Sequence, residues 1–360
     1  MHKGLTGRLA LVALLPLAVF AAENPLPKAD RDPTPPTLEQ KILVRDGVAL
    51  HDQGDFDGAI AKYRQVLNAN QDEVFALHEL GFTYFTKKDY QNALDTARRG
   101  ARYRSPLLAS FHMLMGNVLD EMGDRDQAIA VYRAAIEQSP DIALLHFNLA
   151  LSLTRSNNLT EAKSALEDSV TLNPQHASSH CLLGNVYAET GYRVPAVLAL
   201  SRCLMLEPAS ERARKALDHL ETLIHGGVSK GDKPNAINIT FAAEAKKDEG
   251  DFGPVDLVMS MSLAAGEMES KKKATPFSRF ADIYSVMADV MSRMDPAGFA
   301  ARYYAPFFTE LEKRGFIEAF VSTSFASANL EGAEAWAKKN EGKLCEYRDW
   351  VKSYRWPAGK

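Results

Sequence analysis

The chain has 360 residues, enough for about two domains, and its 24% charged and 46% hydrophobic residues are typical of a soluble globular protein. A formal net charge of -4 and one short basic cluster, Lys271–Lys273, leave no electrostatic footprint for nucleic acid, so we expect no partner of that class. Its three cysteines are too few for a disulfide framework.

The first 21 residues have the features of a secretory signal peptide. A positively charged start precedes the apolar run 9–20, and Val19 and Ala21 are small residues suited to cleavage after Ala21. Because the run is too short to span a bilayer comfortably, we predict an exported protein, periplasmic or secreted, without an integral membrane segment after cleavage. An uncleaved anchor is the alternative. Residues 22–38 are predicted to form a Pro-rich, extended linker.

A period of 34 residues organises the stretch from Leu43 to Pro208. Small residues, alanines and prolines recur in three columns: Gly116, Ala150 and Gly184; Ala128, Ala162 and Ala196; Pro140, Pro174 and Pro208. Two earlier units share the step, from Gly47 to Gly81, and an insertion near Ser105–Pro106 precedes the third. A fixed period of this length indicates one supersecondary unit stacked on copies of itself.

Each unit has the pattern of two amphipathic helices joined by a short turn. In the unit 110–140, apolar residues at helical spacing precede Gly123, and a second periodic face follows it. Pro140 ends the unit because it has no N–H to continue a helix. Gly116 and Ala128 are expected where the two helices cross closely, since a larger side chain there would push the backbones apart.

This pattern resembles the tetratricopeptide repeat (TPR), a pair of antiparallel helices per unit. We therefore predict an all-α fold in which residues 39–225 form a TPR α-solenoid of about five helix-pair repeats. The segment 211–224, with apolar residues on one face and basic residues on the others, is predicted to be the capping helix.

The resemblance also implies a binding groove, because the first helix of each TPR unit lines the concave face of the array. Ten groove residues follow from it: Phe75, His78, Phe82, Phe85, Met113, Asn117, Leu144, Phe147, Leu151 and Asn185. Asp120 and Cys181 fall on the same face. An apolar strip of this kind indicates a protein or peptide partner, with Asn117 facing solvent. Two alternatives are a C-terminal half that fills the groove and a register shifted by one residue.

The resemblance does not extend to the TPR domains that grip peptide C-termini. Those domains need inward-pointing cations, and only Lys41 and Arg155 come near the required positions. Acidic side chains such as Asp120 fall at helix ends, where solvated charges are common. We therefore expect an apolar groove rather than a carboxylate clamp.

Histidines at equivalent positions of three units raise the question of a metal site. His112, His146 and His180 should lie about 10 Å apart, the spacing of packed helices. One zinc ion, with bonds of about 2 Å, cannot bridge that gap. The pair His176 and His180 has no Glu in the zinc-protease arrangement. We predict structural roles, and neither a metal nor another cofactor.

The rest of the chain lacks the 34-residue period. Residues 226–252 are predicted to be a linker with an extended segment, because Ile237, Ile239 and Phe241 alternate like a strand without a visible partner. Residues 253–360 are predicted to form a compact helical domain on the end of the array, and they resemble no family.

An odd number of cysteines leaves at least one thiol unpaired within the chain, and whether Cys181 and Cys203 pair stays open. Cys181 and Cys203 fall on the two helices of one unit, and we expect the repeat geometry to place them on different faces. Cys345 is the odd thiol, which has no partner within the chain if the other two pair.

Two functions of different classes follow. The first is an exported scaffold that binds a protein or peptide through the groove and assembles or tethers components of the cell envelope. The alternative is an enzyme or enzyme-accessory subunit with its site in residues 253–360. The sequence contains no nucleophile elbow, phosphate loop or dinucleotide-binding glycine pattern, so we identify no catalytic residues and favour the scaffold. The partner and the oligomeric state stay open.

Overall fold

The computed structural model describes residues 25–232, 237–239, 246–267 and 274–358. The predicted signal peptide, Phe241 and Lys271–Lys273 lie outside these residues.

Residues 38–206 form five antiparallel helix pairs, which confirms the all-α repeat fold. The first helices of the pairs are α1 Leu38–Asp52, α3 Val74–Thr86, α5 Leu108–Glu121, α7 Ala143–Arg155 and α9 Ala177–Glu189. The second helices are α2 Phe56–Ala69, α4 Tyr90–Gly100, α6 Arg125–Gln138, α8 Leu159–Leu172 and α10 Arg193–Leu206. Helix α11, Glu211–His225, packs on α10 as the cap.

The turns inside the pairs follow directly from the local sequence. Each has a residue in the left-handed region, a glycine in three units and Lys88 or Asn157 in the other two. An Asp or Asn then caps the second helix by accepting its backbone N–H in four units: Asp55, Asp89, Asp124 and Asn158. The same local signals thus reset the chain direction at each repeat.

The two helices of a unit approach closely at the predicted small residues. A Cβ added to Gly116 would lie 2.5 Å from Cζ of Tyr132, and one added to Gly184 would lie 2.6 Å from Cγ of Leu200. Neither distance is possible for a real side chain without displacement of its neighbour. Ala128, on the facing helix, is fully buried. The glycines therefore permit the large buried residues of the second helices.

The described part of the N-terminal segment lies against the array. Leu26 is buried, and the backbone N–H groups of Asp30 and Arg31 donate to the carbonyl of Arg102. The Arg104 backbone N–H donates to the Arg31 carbonyl, and the Arg104 guanidinium pairs with the carboxylate of Asp32. The loop that carries the extra residues between the second and third units is therefore where the Pro-rich segment docks.

The C-terminal half is helical, with one short hairpin before it. Its helices are α12 Gly253–Glu267, α13 Pro276–Met291, α14 Phe299–Tyr303, α15 Ala305–Lys313, α16 Ile317–Ser324, α17 Ala333–Lys339 and α18 Glu341–Ser353. Strand β1, Val228–Lys230, pairs antiparallel with β2, Ile237–Ile239. The expectation that Ile237 and Ile239 lack a strand partner was wrong, because the partner strand directly follows the capping helix and has no alternating pattern of its own.

Cys181 and Cys203 form a disulfide bond, so the expectation that they face apart was also wrong. Their Cα atoms are 5.2 Å apart across the α9–α10 pair. Cys181 is buried in that helix interface and does not line the groove. Cys345 is free and exposed.

The C-terminal half packs on the last units rather than in the groove. The Tyr303 hydroxyl donates to the Val170 carbonyl at 2.7 Å, and the Ser201 and Tyr284 hydroxyls lie 2.5 Å apart. The Arg202 guanidinium stacks 4.6 Å from the Trp356 ring. These three contacts fall on α8 and α10, and His180 on α9 lies 2.8 Å from the Tyr304 hydroxyl. In the described part of the chain, no helix has the length and apolar content that crossing a bilayer requires.

Candidate functional site

The first helices carry exposed apolar side chains at predicted groove positions. Phe75 is 53% exposed, and Phe82 and Leu144 are each 44% exposed. The Phe82 ring stacks on the imidazole of His51 at 5.3 Å, which orients it while leaving its outer face open. Side chains of this size are normally buried, so the cluster is a candidate docking surface.

Four further groove residues are half-buried: Phe85, Met113, Phe147 and Leu151. The first three also pack against the core of the array. The Phe147 ring meets the His176 imidazole edge-on at 4.9 Å, so it contributes to the contact between the fourth and fifth units. Phe147 therefore packs between units as well as lying in the groove, because the neighbouring unit reaches over it.

A polar pocket interrupts the apolar strip at the third unit. It has a volume of about 80 Å³ and nine lining residues: Phe85, Asn117, Asp120, Glu121, Tyr132, Asn148, Leu151, Ser152 and Arg155. Asn117 does not simply face solvent as expected. Its Oδ1 accepts a hydrogen bond from the buried Tyr132 hydroxyl at 2.6 Å and another from Asn148 Nδ2 at 3.2 Å.

These two bonds fix the orientation of both amides. Among the described residues, Asn117 Nδ2 and Asn148 Oδ1 have no hydrogen-bond partner. One is a donor and the other an acceptor, and neither is fully buried. A peptide main chain offers the complementary acceptor and donor, so the pair can bind one amide group of an extended segment.

An ion pair neutralises the charge of this pocket. Asp120 is only 8% exposed, and its Oδ2 accepts a hydrogen bond from Arg155 Nη1. The expectation that Asp120 is a solvated helix-end charge was wrong, because Arg155 from the next unit covers it. Arg155 is thereby engaged with a carboxylate of its own chain, which agrees with the absence of a carboxylate clamp predicted from the sequence.

Groove residues on either side of this pocket make other polar contacts. Asn185 Oδ1 accepts a hydrogen bond from the His219 ring of the cap at 2.9 Å. The His78 ring lies 2.9 Å from a carboxylate oxygen of Glu79 on the same helix. All ten predicted groove residues are at least partly exposed, but binding by any of them stays a prediction.

The three histidines at equivalent positions are buried and have structural contacts. Nε2 of His146 and of His180 each donates to the carbonyl of the proline that ends the preceding unit, at 2.8 and 3.1 Å. Burial lowers the pKa of His112 to about 4, so its ring is neutral near pH 7. Within the described ranges, no group of three or more His, Cys, Asp or Glu residues has the geometry of a metal site.

The C-terminal half has a cavity of about 300 Å³ between α12 and α13. Its lining residues are Ser262, Leu263, Gly266, Ala274, Arg279, Asp282, Ile283, Ser285 and Val286. Arg279 and Asp282 bring one charge of each sign, one turn apart on α13. The lining also includes the hydroxyl groups of Ser262 and Ser285, and no histidine, lysine or cysteine is among the residues that line it. The geometry identifies no reaction, and the enzyme alternative stays a prediction.

Comparison with known proteins gives one consistent result for the repeats. Residues 113–177 match the family model described as tetratricopeptide repeat, and residues 47–88 match another described as TPR repeat. BBSome complex member BBS4 of Bos taurus is 31% identical over 141 residues, 39% of this chain and 26% of that protein. BBSome complex member bbs-4 of Caenorhabditis elegans is 24% identical over 171 residues, 48% of this chain and 37% of that protein.

Among solved structures, a thermophilic TPR protein of Thermus thermophilus is 19% identical, with a TM-score of 0.42. The match covers 51% of this chain and 98% of that one. The chain spans 26% of the length of the bovine relative, so the likeness concerns the repeats.

Proposed function

We propose that this chain, whose residues 38–225 form a tetratricopeptide repeat array, is an exported scaffold that binds a protein or peptide partner in its groove. The observation that carries the proposal is the exposure of Phe75, Phe82 and Leu144 on the first helices. The contacts described above for the C-terminal half lie on α8, α9 and α10, whereas these three side chains lie on α3 and α7. Each exposed ring that a partner covers contributes about 2 kcal/mol when it acts as a hot spot.

The polar pocket between the apolar positions indicates the form of the partner. An extended segment exposes main-chain amides that can pair with Asn117 and Asn148, whereas a helix has satisfied its own. The carboxylates of Asp120 and Glu121 are matched by the guanidinium groups of Arg155 and Arg125, so the charges around this part of the groove balance. An uncharged, extended segment with apolar side chains on either side is therefore the partner that fits.

Export and a role in the cell envelope are the finer part of the proposal. The buried Cys181–Cys203 disulfide supports export, because structural disulfides persist in oxidising compartments. The predicted signal peptide supports the same compartment. By its name, the bovine relative belongs to a multiprotein complex, which is consistent with assembly or tethering as the task of the repeats.

The groove is tested by capture of partners from the envelope fraction of the source cells. The double variant Phe75→Ala and Phe82→Ala should lose most of the captured partner. Its free energy of unfolding should stay within about 0.5 kcal/mol of wild type. Leu257→Ala with Met261→Ala is the matched control, since these side chains are 37% and 52% exposed on α12. Equal capture by the groove variant and wild type would place the site elsewhere.

Export is tested separately by mass spectrometry of the native protein. A mature N-terminus at or near Ala22 is expected, because Val19 and Ala21 provide the small residues that signal cleavage requires. An intact Met1 on a membrane-bound form would contradict export as a cleaved protein. The proposal that the groove binds a partner would be unaffected by that result.

A further inference from the structure

A buried cluster of ionisable groups joins the C-terminal half to the back of the array. At its centre is Glu249, in the segment between the hairpin and α12, with 4% of its side chain exposed. Its Oε1 accepts a hydrogen bond from Lys163 Nζ on α8, and its Oε2 accepts one from the Tyr187 hydroxyl on α9 at 3.1 Å. One carboxylate thus contacts two repeat helices.

The same residue holds the start of α14. Glu249 Oε2 accepts the Ala300 N–H at 3.1 Å, and the Glu249 carbonyl accepts the Ala301 N–H at 3.0 Å. Gly298 makes this approach possible, because a Cβ at that position would lie 2.3 Å from the Glu249 carbonyl carbon. The backbone at the start of α14 therefore contacts Glu249 directly.

A second carboxyl group shares the cluster without a cation of its own. Glu167, one turn beyond Lys163 on α8, lies 3.3 Å from the Tyr187 hydroxyl, on which Glu249 also converges. The Lys163 ammonium is already engaged by Glu249 and, at 3.2 Å, by Asp248. Three carboxyl groups therefore surround the Lys163 ammonium. Tyr187, Tyr192 and Tyr304 beside them are neutral phenols, and the Lys246 ammonium lies 4.9 Å from the centre of the Tyr192 ring.

We propose that Glu167 holds a proton beside the Glu249 carboxylate and the Tyr187 hydroxyl, and that loss of this proton loosens the C-terminal half from the array. A protonated Glu167 donates a hydrogen bond to the neighbouring carboxylate. A deprotonated Glu167 instead places two carboxylates side by side in a buried site, where like charges repel strongly. The junction is then a proton-sensitive contact between the two halves.

The pH window follows from the same surroundings. Burial and the Glu249 carboxylate raise the pKa of Glu167 to about 8, from an ordinary value of 4.5. In a separated, hydrated state the group returns to its ordinary pKa, so between pH 4.5 and about 8 the docked state holds a proton that the separated state lacks. Docking is therefore strongest in mild acid, weakens as the pH rises through this window and levels off above about pH 8.

Hydrogen exchange of the full chain tests this directly, because the Ala300 and Ala301 amides are bonded to Glu249. Protection factors, which are corrected for the pH dependence of exchange itself, are measured at about pH 5.5 and 7, within the window, and at about pH 9, above it. Protection of the two amides should fall at least about tenfold over this range, the equivalent of one pKa unit. Amides of α5 and α6 provide the internal reference and should not follow the same curve.

Two variants on α8 separate the proton from the rest of the interface. Glu167→Gln keeps a neutral donor of the same size and should remove the pH dependence while retaining protection. Glu161→Gln, in an exposed pair with Arg133, should behave as wild type. A flat wild-type curve would overturn the proposal. So would a Glu167→Gln chain that keeps the wild-type slope, or one whose two amides are unprotected at every pH.

Discussion

The repeat array and its junction with the C-terminal half are held together in different ways. In the array, each helix packs mainly on its neighbours in the chain, and the small residues at the crossings recur with the period. At the junction, bonds join residues far apart in sequence, such as Tyr303 with Val170 and Lys163 with Glu249. The array thus depends on local packing, whereas the junction combines a shared apolar core with buried polar and charged contacts between distant residues.

This difference makes the two regions sensitive to opposite changes. The buried His112 of the array must stay neutral, so acid disfavours the array, whereas Glu167 at the junction must keep its proton, so alkali disfavours that region. A pH scan that follows both regions separately should show this contrast.

The largest expected effect is overpacking in the array. Gly184→Leu should destabilise the protein by about 3 kcal/mol or more, since the new side chain meets both the side chain and the backbone of Leu200. Gly116→Leu should cost about 1–3 kcal/mol, because a single Tyr132 ring must move. Gly342→Leu on α18 is the control, as nothing lies near its Cβ position. Unfolding in denaturant measures all three, and wild-type stability of Gly184→Leu would show that the helices do not cross there.

Loss of the disulfide is expected to come next. Cys181 and Cys203 are 22 residues apart, and closing a loop of this size stabilises a fold by about 3 kcal/mol. Reductant should therefore lower the melting temperature of wild type, while the double variant Cys181→Ala and Cys203→Ala should not respond. Cys345→Ser leaves the pair intact and should respond as wild type does. A wild-type melting temperature that ignores reductant would contradict a stabilising bond.

Acid should destabilise the array through His112. Its pKa is ordinarily 6.5 and is lowered by burial to about 4 in the folded protein. The lowered value means that His112 contributes stability above pH 6.5 that is lost as the pH falls through about 4. We expect wild type to lose about 2 kcal/mol more than His112→Gln between about pH 7 and pH 4, as measured by urea unfolding at each pH. If the unfolding free energies of wild type and His112→Gln changed in parallel with pH, the ring would be open to protonation in the folded protein.

The smallest expected effect concerns Asn117, for which sequence and structure give different expectations. The sequence places this residue in solvent, so Asn117→Ala would be neutral. The structure predicts a loss of about 1–2 kcal/mol, because the buried Tyr132 hydroxyl loses its acceptor. In a Tyr132→Phe background the same change should cost nearly nothing. The double-mutant cycle decides between the two expectations, and additive changes would favour the sequence-based one.

The groove residues show which features can be predicted from the position of a residue within its repeat. Register placed Phe75, Phe82 and Leu144 on one face, and the structure exposes all three. It did not show that Phe147 packs on His176, or that Arg155 covers Asp120, because both contacts come from the adjoining unit. A repeat pattern states where a side chain points within its own unit. The neighbour that meets it depends on how the units stack.

By itself, the sequence determined the helix pairs, their turns and the small residues at their crossings, because these depend on contacts within one repeat length and are copied along the array. Only the tertiary structure decided the Cys181–Cys203 bond, the hairpin partner of β2 and the docking of Glu249 on Lys163 and Tyr187. The hairpin lies outside the repeats, and the Glu249 contacts join a segment outside the repeats to two repeat helices. The disulfide bond depends on the rotation of α9 against α10. No periodicity encodes such contacts, so they become visible only when the chain is folded.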